Sequence, residues 1–469
     1  MAVSAEADIR DFGKADENRV HSDSPIDEAK LLRKIDLRVV PILFMTYIVA
    51  FLDRVNISNA LTLGLPAELN LEGNQPNVAL TIFFVPYIIF EIPSNIVMKK
   101  LSPRIWLSAC IISFGIIMIG QGFVRSYGGL LAARFFLGLA EAGIFPGGFY
   151  LISFWYEKAE AQKRFTVYWS STICAGAFGG LLASAIANMD GIRGLSSWRW
   201  VFILEGIVTV LVGFVALFCV TDFPREAKWL SPEEKEFILQ KTGNNESHTV
   251  PVVAKDMLAF LSQPRQWFAA TMYLAILIPS YSVSYFLPTI VQTLGYTTVQ
   301  TQLHTVPPFA AALGFALVVA YASDKLQIRS PFIFLGLALL ISGLAILISV
   351  HGSAYFSAQY AALCLIAMGT FGVGGSIVCW YVMNLQGHAE RSIGSAWIVC
   401  VGNIGGIIAP FLFLKKDAPY YRPGYSVCLA MSALCVASCA SYGLFIWREI
   451  KGRPKHGARG EPKEKSLYL

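Results

Sequence analysis

Long apolar segments recur along this chain, and they constrain its fold more than any other feature of the sequence. Many have close to the roughly 20 residues that an α-helix needs to cross a bilayer. In hydrocarbon only helices and closed barrels satisfy their backbone polar groups, and segments without strict alternation are helices. The sequence therefore predicts an all-α membrane protein with twelve transmembrane helices, at about 37–59, 77–97, 105–124, 129–154, 165–188, 200–221, 267–290, 303–322, 331–350, 358–382, 390–414 and 425–447.

The composition agrees with lipid as the main solvent. Of the 469 residues, 55% are hydrophobic and only 14% are charged, against roughly a quarter charged in soluble domains. Too few polar side chains remain to cover a water-facing surface, which nearly excludes a soluble enzyme. The nine cysteines lie in or beside apolar segments and lack the paired spacing of a zinc or disulfide site. We expect no metal and no nucleic-acid partner.

One long polar connection divides the chain into two pseudo-symmetric six-helix bundles. Short sequence matches relate the two halves: Lys100-Leu101 corresponds to Lys325-Leu326, and Gly179-Gly180 corresponds to Gly405-Gly406. Such duplication is expected of transporters whose halves rock about a central site. The predicted units are an N-terminal tail at 1–36, bundles at 37–221 and 267–447, a central loop at 222–266 and a basic tail at 448–469.

The distribution of positive charge predicts the orientation. If both termini are cytoplasmic, the segments on that side hold 29 of the 37 Lys and Arg residues, and the opposite loops hold 6. Positive residues concentrate on the cytoplasmic side of membrane proteins, so we expect both termini inside the cell. The basic tail is interpreted as a topology anchor, and contact with anionic lipid headgroups is the alternative.

Six ionisable residues interrupt the apolar segments. A charge at bilayer depth costs several kcal/mol unless it faces protein or water, so each is a candidate functional residue. Arg134 and Glu141 are seven positions apart, which places them on one face of a helix. With the neighbouring Asp53 and Arg54 they form a set of two carboxyls and two guanidiniums. The six residues are Asp53, Arg54, Glu91, Arg134, Glu141 and Glu205.

The balanced set of four has two interpretations. One is a pair of buried salt bridges that lock helices together. The other, which we favour, is linked binding of protons and an anion, because protonation of a carboxyl leaves an arginine free to hold a substrate carboxylate. The chain has no P-loop and no histidine in the middle of a predicted helix, so we expect a proton gradient as the energy source and no cofactor.

Other polar residues have weaker signals. Glu91 lies beside Pro93 and belongs either to an inner gate or to a helix–helix hydrogen bond. For Glu205 we expect pairing with Arg199. Polar groups in the second half suit contact with a flat substrate, with core packing as the alternative; they are Tyr281, Tyr285, Trp380 and Asn384.

Together these residues resemble the major facilitator superfamily, specifically the anion:cation symporter family and its fungal branch of allantoate, nicotinate, pantothenate and biotin permeases. The resemblance covers about residues 30–450. It rests on Phe-Leu-Asp-Arg-Val-Asn-Ile at 51–57, Glu-Ile-Pro-Ser-Asn at 91–95, Arg-Phe-Phe-Leu-Gly-Leu-Ala-Glu-Ala-Gly at 134–143, Trp-Arg-Trp-Val-Phe-Ile-Leu-Glu-Gly at 198–206, and Trp380 with Asn384 and Gly387. A fragment of the superfamily's loop motif remains around Asp324, which implies a gating or structural role there.

The resemblance implies proton coupling by Asp53 and Glu141 and contact between the substrate carboxylate and Arg54 and Arg134. The chain departs from sugar-acid carriers of this family, which place Tyr, Gln and Asn where this sequence has Phe51, Ile173 and Val399. We therefore expect a less hydroxylated monocarboxylate of the vitamin or nitrogen-compound type.

The sequence thus predicts a monomeric, proton-coupled symporter that imports a small organic anion across the plasma membrane by alternating access. Two alternatives stay open. An exporter of an acidic metabolite would differ in the direction of flux, and a nutrient sensor would bind its ligand without moving it.

The predicted orientation can be checked at the sequon Asn245-Glu246-Ser247. With both termini inside, this sequon lies in the cytoplasmic central loop, where the glycosylation machinery does not reach it. We expect endoglycosidase treatment of the expressed protein to leave its electrophoretic mobility unchanged. If the treatment does change the mobility, and Asn245→Gln abolishes that change, the sequon is glycosylated and the predicted orientation is wrong.

Overall fold

The computed structural model describes residues 26–242, 254–326, 328–385 and 387–452, and these residues form helices joined by short connections with no β-strand among them. The sequon at Asn245 lies outside the described residues. The helices are α1 (Glu28–Thr62), α2 (Leu65–Glu68), α3 (Gln75–Thr81), α4 (Phe84–Leu101), α5 (Pro103–Gln121), α6 (Tyr127–Glu141), α7 (Ile144–Trp155), α8 (Lys158–Ala187), α9 (Ser197–Cys219), α10 (Pro232–Thr242), α11 (Ala254–Leu261), α12 (Pro264–Thr293), α13 (Thr298–Leu303), α14 (Val306–Leu326), α15 (Ser330–Ser349), α16 (Phe356–Met383), α17 (Gly387–Ile408) and α18 (Arg422–Gly452).

Among the described residues, 11 helices are long and apolar enough to cross a membrane by length and composition. They match eleven of the predicted segments, with α6 and α7 forming one span and α13 and α14 another. The segment predicted at 77–97 corresponds to α3 and α4. This segment is not among the eleven for two reasons. A turn at residues 82–83 interrupts the helix, and α4 carries three charged residues, Glu91, Lys99 and Lys100. The segment completes the twelve-helix bundle.

The two halves repeat the same set of helix contacts. In the first half α1 packs on α8 and α9, and α5 packs on α9. In the second half α12 packs on α17 and α18, and α15 packs on α18. Contacts between the halves join α1 to α12, α8 to α14, and α4 to α17. The first helix of each half therefore lies at the centre of the molecule, which is where a shared site can form.

Glycines allow the close packing of α5 on α9. A Cβ atom on Gly115 would lie 2.9 Å from the backbone nitrogen of Val210, and one on Gly206 would lie 2.9 Å from the backbone nitrogen of Ile119. Small residues let two transmembrane backbones approach in this way. α9 is thus held firmly against α5, and its opposite side is presented to α1.

The central connection is partly helical and contacts the first half. Lys241 of α10 pairs with Glu28, and its Nζ also lies 2.7 Å from a carboxylate oxygen of Glu160. Trp229 stacks on Trp155 with ring centroids 5.3 Å apart. These contacts lie at the end of the bundle where the described chain begins, at Ile26, and ends, at Gly452, and we call it the terminal end. The opposite end is the distal end.

At the distal end, Glu68 joins loops of the first half. Its carboxylate accepts hydrogen bonds from Ser196 Oγ, from Trp198 Nε1 at 2.6 Å, and from Arg199 Nε at 2.9 Å and Nη2 at 2.7 Å. Burial alone would raise the pKa of Glu68, but the hydrogen bonds from Ser196, Arg199 and Trp198 hold that pKa below its ordinary value. Glu68 therefore holds α2 against the start of α9 at this end of the bundle.

The expected pair between Arg199 and Glu205 does not form. Six positions along an α-helix leave two side chains about 120° apart around the axis, so these two residues lie on different faces of α9. Arg199 reaches Glu68 in the distal loops, and Glu205 faces α1. The prediction was wrong because proximity along the sequence was given more weight than the helical period.

We predict that Glu68→Gln lowers the free energy of unfolding by about 1 kcal/mol at neutral pH. Hydrogen bonds to charged groups are worth about 1.5–3 kcal/mol, and partial solvent exposure reduces that value. Because the folded pKa is lowered, this stabilisation is present above the ordinary glutamate pKa of about 4.3 and is lost as the pH falls through the folded value. Thermal unfolding of purified protein against pH measures the difference.

Glu72→Gln is the matched control, since Glu72 is an exposed carboxyl in the same loop. It should leave the unfolding temperature unchanged. Equal unfolding temperatures for wild type and Glu68→Gln at neutral pH would show that the cluster does not stabilise this end.

Candidate functional site

All six charged residues predicted at bilayer depth are buried within the protein. Their exposed fractions are 0% for Asp53, 2% for Arg54, 1% for Glu91, 1% for Arg134, 0% for Glu141 and 4% for Glu205. Charges inside membrane helices are found facing the bundle interior in this way because exposure to lipid would be costly. The question is then which partners each group has.

Arg54 and Glu141 form an ion pair between α1 and α6. Arg54 Nε donates to Glu141 Oε1 at 3.0 Å, and Nη2 makes a closer contact with the same oxygen. The other carboxylate oxygen, Oε2, has no hydrogen-bond partner. The charge of Arg54 is therefore neutralised through one oxygen, and Glu141 keeps a free position.

Arg54 also contacts the second half of the molecule. Its Nη1 donates to the Tyr281 hydroxyl at 3.3 Å, and that hydroxyl donates to Asn403 Oδ1 at 2.8 Å. The Tyr285 ring stacks on Tyr281 with centroids 5.9 Å apart. The guanidinium lies 4.8 Å from the ring centroid of Tyr87, a cation–π distance. One cation of the first half is thus bound to α12 and, through Tyr281, to α17.

Arg134 lacks a carboxylate partner. Its Nη2 donates to the backbone carbonyl of Arg54 at 3.5 Å, and its Nε and Nη1 have no hydrogen-bond partner. The interpretation as two salt bridges required a second ion pair, but the structure forms one, between Arg54 and Glu141. Arg134 is a buried cation that contacts the α1 backbone at Arg54 and, unlike Arg54, does not line the cavity between the halves.

Asp53 and Glu205 lie in the contact between α1 and α9 and do not line the central cavity. Thr209 Oγ1 donates to Asp53 Oδ2 at 2.8 Å, and Asn56 Nδ2 donates to Glu205 Oε2. Neighbouring residues on a helix project about 100° apart, so Asp53 is directed to α9 while Arg54 is directed to α12. The sequence grouped the two residues, and the fold separates their environments.

Glu91 contacts the second half from α4. Cys400 Sγ lies 3.7 Å from Glu91 Oε2 as a weak donor, and Glu91 Oε1 has no partner. Cys400 is one turn before Asn403 on α17. Both interpretations of Glu91, an inner gate and a helix–helix hydrogen bond, are compatible with a contact between the halves.

A cavity lies between the halves beside Arg54, and Arg54 is the one charged residue in its lining among the residues described. Phe51 and Val399 line it. Ile173 is buried outside the lining, and its neighbour Thr172 lines the cavity. The lining is mostly aromatic. It consists of Tyr47, Phe51, Arg54, Tyr87, Phe145, Trp169, Thr172, Tyr273, Leu277, Ser280, Tyr281, Ser284, Phe371, Val399 and Asn403.

Four of the six residues predicted to bind substrate are not among the residues that line the cavity: Arg134, Tyr285, Trp380 and Asn384. Trp380 packs edge-to-face on Tyr442 with centroids 4.9 Å apart, and Asn384 Nδ2 donates to the Trp380 carbonyl at 2.9 Å. Both belong to the packing of α16 on α18. Asp324 lies in α14, and its side chain is outside the described part of the chain.

The sequence analysis missed Asn403, which holds Tyr281 and lines the cavity. An amide inside an apolar segment was the available signal. Single uncharged polar residues are common in such helices, so this signal did not separate Asn403 from the other polar residues of the twelve segments.

The two halves are joined on both sides of the cavity. Toward the distal end Gln302 Nε2 donates to Thr62 Oγ1 at 2.8 Å, and Asn77 donates to the carbonyl of Pro410. Toward the terminal end Trp169 Nε1 donates to the carbonyl of Phe371 at 3.2 Å. These hydrogen bonds hold the two halves together around the cavity.

A sequence profile of the Major Facilitator Superfamily matches residues 43–410. The chain belongs to this superfamily. It is therefore a multi-pass integral membrane transporter of a small molecule and not an enzyme. Two related fungal proteins are the MFS-type transporter cnsO of Penicillium expansum, 32% identical over 90% of this chain and 84% of that protein, and the major facilitator-type transporter hxnP of Emericella nidulans, 30% identical over 96% of this chain and 91% of that protein.

Solved structures of major facilitator proteins share the fold. The proton:xylose symporter XylE bound to 6-bromo-6-deoxy-D-glucose superposes with a TM-score of 0.69 at 16% identity, covering 89% of this chain and 96% of that chain. A bacterial homologue of the human lysosomal transporter Spinster, inward-facing and occupied, has a TM-score of 0.66 at 15% identity, covering 89% and 98%. At these identities the likeness concerns the fold alone.

We predict that Gly180→Ala opens the distal end. A Cβ atom on Gly180 would meet Thr305 Oγ1 and would lie 2.8 Å from the Gln302 carbonyl oxygen, across the boundary between the halves. The expected result is a longer distance between spin labels at Glu72→Cys and Thr298→Cys, measured by pulsed electron spin resonance without the native cysteines.

The neighbouring Gly179→Ala is the control, because its Cβ would meet only Asn59 Nδ2 at 3.7 Å and Asn56 Oδ1 at 3.9 Å within its own half. Equal label distances in the two variants would contradict the proposed closure through Gly180.

Proposed function

We propose that this transporter is a proton-coupled symporter that imports a small organic anion by alternating access. The observation that carries the proposal is the buried pair of Arg54 and Glu141 beside the cavity, in which the cation contacts the second half and the carboxylate retains an unpartnered oxygen. The pair links a site for an anion to a site for a proton.

The coupling follows from charge. An anion bound to Arg54 lies near Glu141, and two like charges about 4 Å apart repel by about 4 kcal/mol at an effective dielectric constant of 20. Protonation of Glu141 removes this repulsion and weakens its hold on Arg54. The guanidinium then offers its planar fork to a substrate carboxylate. Proton and anion binding therefore favour each other, as symport requires.

The cavity lining indicates the class of cargo. Aromatic rings dominate, and hydrogen-bonding groups beyond Arg54 are few, among them Thr172, Ser284 and Asn403. A polyhydroxylated acid would leave hydroxyls without partners, which is costly in a buried site. A flat or apolar monocarboxylate fits better, with its carboxylate on Arg54 and its body among the rings. This agrees with the vitamin and nitrogen-compound permeases that the sequence resembles.

The contact between Arg54 and Tyr281 connects cargo binding to movement of the halves. When a carboxylate engages Arg54, it competes with the hydrogen bond to the Tyr281 hydroxyl, which joins α1 to α12 and, through Asn403, to α17. We propose that this exchange of partners biases the contacts on the two sides of the cavity. Arg134 supports α1 at the carbonyl of Arg54, so its role is to position Arg54.

The proposed orientation places both termini in the cytoplasm and the protein in the plasma membrane as a monomer. The excess of positive charge at the terminal end supports this orientation. In it the contacts at Thr62 and Asn77 face the outside, and the Trp169 contact faces the cytoplasm.

We predict that Glu141→Gln separates transport from the proton gradient. Gln has the shape of a protonated carboxyl but cannot release a proton, so substrate exchange across the membrane should continue while gradient-driven accumulation is lost. Proteoliposomes supplied with radiolabelled nicotinate, pantothenate, biotin or gluconate measure both activities, with and without an inward proton gradient. We expect uptake of one of the first three and none of gluconate.

Arg54→Ala should reduce uptake by about 30-fold or more, because loss of a buried charged contact costs about 2–5 kcal/mol. Arg54→Lys should restore part of it. Arg125→Ala, at an exposed distal arginine, is the control and should behave as wild type. Gradient-driven accumulation by Glu141→Gln at the wild-type level would refute the coupling role. Efflux favoured over uptake would indicate an exporter, and binding without flux would indicate a sensor.

A further inference from the structure

Trp169 of α8 crosses the boundary between the two halves beside the cavity. Its Nε1 donates to the backbone carbonyl of Phe371 on α16 at 3.2 Å. Its indole ring lies about one turn further along α16, against Gly374 and Gly375. A Cβ atom on Gly374 would lie 2.9 Å from Cζ2 of the indole, and one on Gly375 would lie 2.8 Å from Cδ1. The ring therefore occupies space that a larger residue at either position would fill.

The two adjacent glycines need a packing reason. Glycine in the interior of a helix is less stable than alanine, because its backbone has more freedom to lose on folding. Gly374 and Gly375 lie inside α16 (Phe356–Met383), and alanine at either position would come closer to the indole than non-bonded carbon atoms pack. We call these two residues the glycine seat of Trp169.

Trp169 also lines the cavity, at the end opposite Arg54. Both α1 and α12 run from the terminal end to the distal end, so the order of their lining residues gives depth. The lining runs from Tyr47 to Arg54 on α1 and from Tyr273 to Ser284 on α12. Arg54 is thus the lining residue of α1 nearest the distal end. Trp169 lies beside Tyr273, with ring centroids 6.5 Å apart, on the terminal side.

The helical rise gives the length of the space between these two ends. Arg54 donates to Tyr281, and Trp169 lies beside Tyr273. Tyr273 and Tyr281 are eight positions apart, which is about 12 Å along α12. On α1, Tyr47 and Arg54 are seven positions apart, or about 10 Å. A cargo held at Arg54 therefore has a similar length available before it reaches the indole.

We propose that Trp169 is a specificity-determining residue, which ends the cargo site on the terminal side and so limits the length of the cargo. This inference rests on the proposed function, in which Arg54 holds the cargo carboxylate. With the carboxylate at one end and the indole at the other, a short flat acid fits along the site. A longer rigid acid meets the ring of Trp169.

The glycine seat makes this limit sharp. The indole is held by its hydrogen bond to Phe371 and lies directly against the glycines of α16, so it cannot retreat toward that helix. A rigid cargo that is too long would have to break this contact between the halves. Gly374 and Gly375 are accordingly positioning residues that act through Trp169.

Equilibrium binding to the purified full-length protein in nanodiscs tests the proposal without transport or a gradient. The probes are benzoate, naphthalene-2-carboxylate and anthracene-2-carboxylate, which are flat monocarboxylates of increasing length. A fourth probe, anthracene-9-carboxylate, has the same atoms as its isomer, but its rings lie across the axis of the carboxylate. For the wild type we expect anthracene-2-carboxylate to bind more weakly than naphthalene-2-carboxylate.

Trp169→Ala should strengthen binding of anthracene-2-carboxylate relative to benzoate by about 10-fold or more, because one methylene in an apolar pocket already changes selectivity by about 10-fold. Binding of anthracene-9-carboxylate relative to benzoate should change much less. Trp169→Phe should lie between the wild type and Trp169→Ala. Trp447→Ala, at a half-exposed ring outside the cavity lining, is the control and should leave both ratios unchanged.

Gly375→Ala tests the glycine seat in the opposite direction. The added methyl should push the indole toward the cavity and weaken binding of naphthalene-2-carboxylate relative to benzoate by about 10-fold. In the Trp169→Ala background the same substitution should leave this ratio unchanged, because Gly375 acts through the indole. Gly443→Ala is the matched control, since its Cβ would lie 3.5 Å from Trp380 Cη2, an ordinary contact distance.

The proposal is overturned if the wild type binds anthracene-2-carboxylate as tightly as naphthalene-2-carboxylate, or if Trp169→Ala leaves the ratio to benzoate unchanged. An equal gain for both anthracene isomers would also overturn it, because the substitution would then act on volume and not on length. Size-exclusion profiles identify variants that fail to fold, and Trp169→Phe, which keeps a ring on the glycine seat, then provides the test.

The same measurements separate this inference from the proposed function. If the probes bind but their length dependence ignores Trp169, the length limit is wrong and the anion site stands. If no probe binds to the wild type or to any variant, the anion site itself is contradicted, and this inference with it.

Discussion

The structure depends on one constraint: a charge buried within a membrane bundle must be compensated inside the protein. The pair of Arg54 and Glu141 meets this requirement between α1 and α6. The remaining guanidinium nitrogen of Arg54, Nη1, donates a hydrogen bond to Tyr281 in the other half. A buried ion pair contributes little net stability compared with apolar packing. We therefore infer that the pair lies beside the cavity because Arg54 exchanges its partners during transport, and not because the ion pair makes the bundle rigid.

This pair belongs to a series of polar contacts in a largely aromatic interior. Glu141 holds Arg54, Arg54 holds Tyr281, and Tyr281 holds Asn403 on α17. One turn away on the same helix, Cys400 contacts Glu91 of α4. The series begins and ends in the first half and passes through the second. In the proposed symport, a change of protonation at either end would alter contacts between the halves, which is the physical requirement for linking a gradient to alternating access.

The sequence predicted the elements better than their partners. Hydropathy located the spans because the lipid requirement acts on each segment separately, and burial cost identified the six charges for the same reason. Pairing depends on helix rotation and on helices distant in sequence. For this reason Arg199 was assigned to Glu205 although it binds Glu68, and Asn403 was missed. Phe51 and Val399, which the sequence predicted to be departures from sugar-acid carriers, both line the cavity.

The numbers of buried acids and bases give a further argument. The sequence suggested a balanced set of four, but the fold also buries Glu91 and Glu205, so four carboxyls accompany two guanidiniums around α1. Arg54 is compensated by Glu141, and Arg134 can compensate one further negative charge. The two remaining carboxylate charges have no basic partner among the described residues, and burying them ionised would cost several kcal/mol each. Protonation of two of the four carboxyls would remove this cost. In the proposed symport, a bound anion would add one more negative charge and would therefore favour the uptake of a further proton.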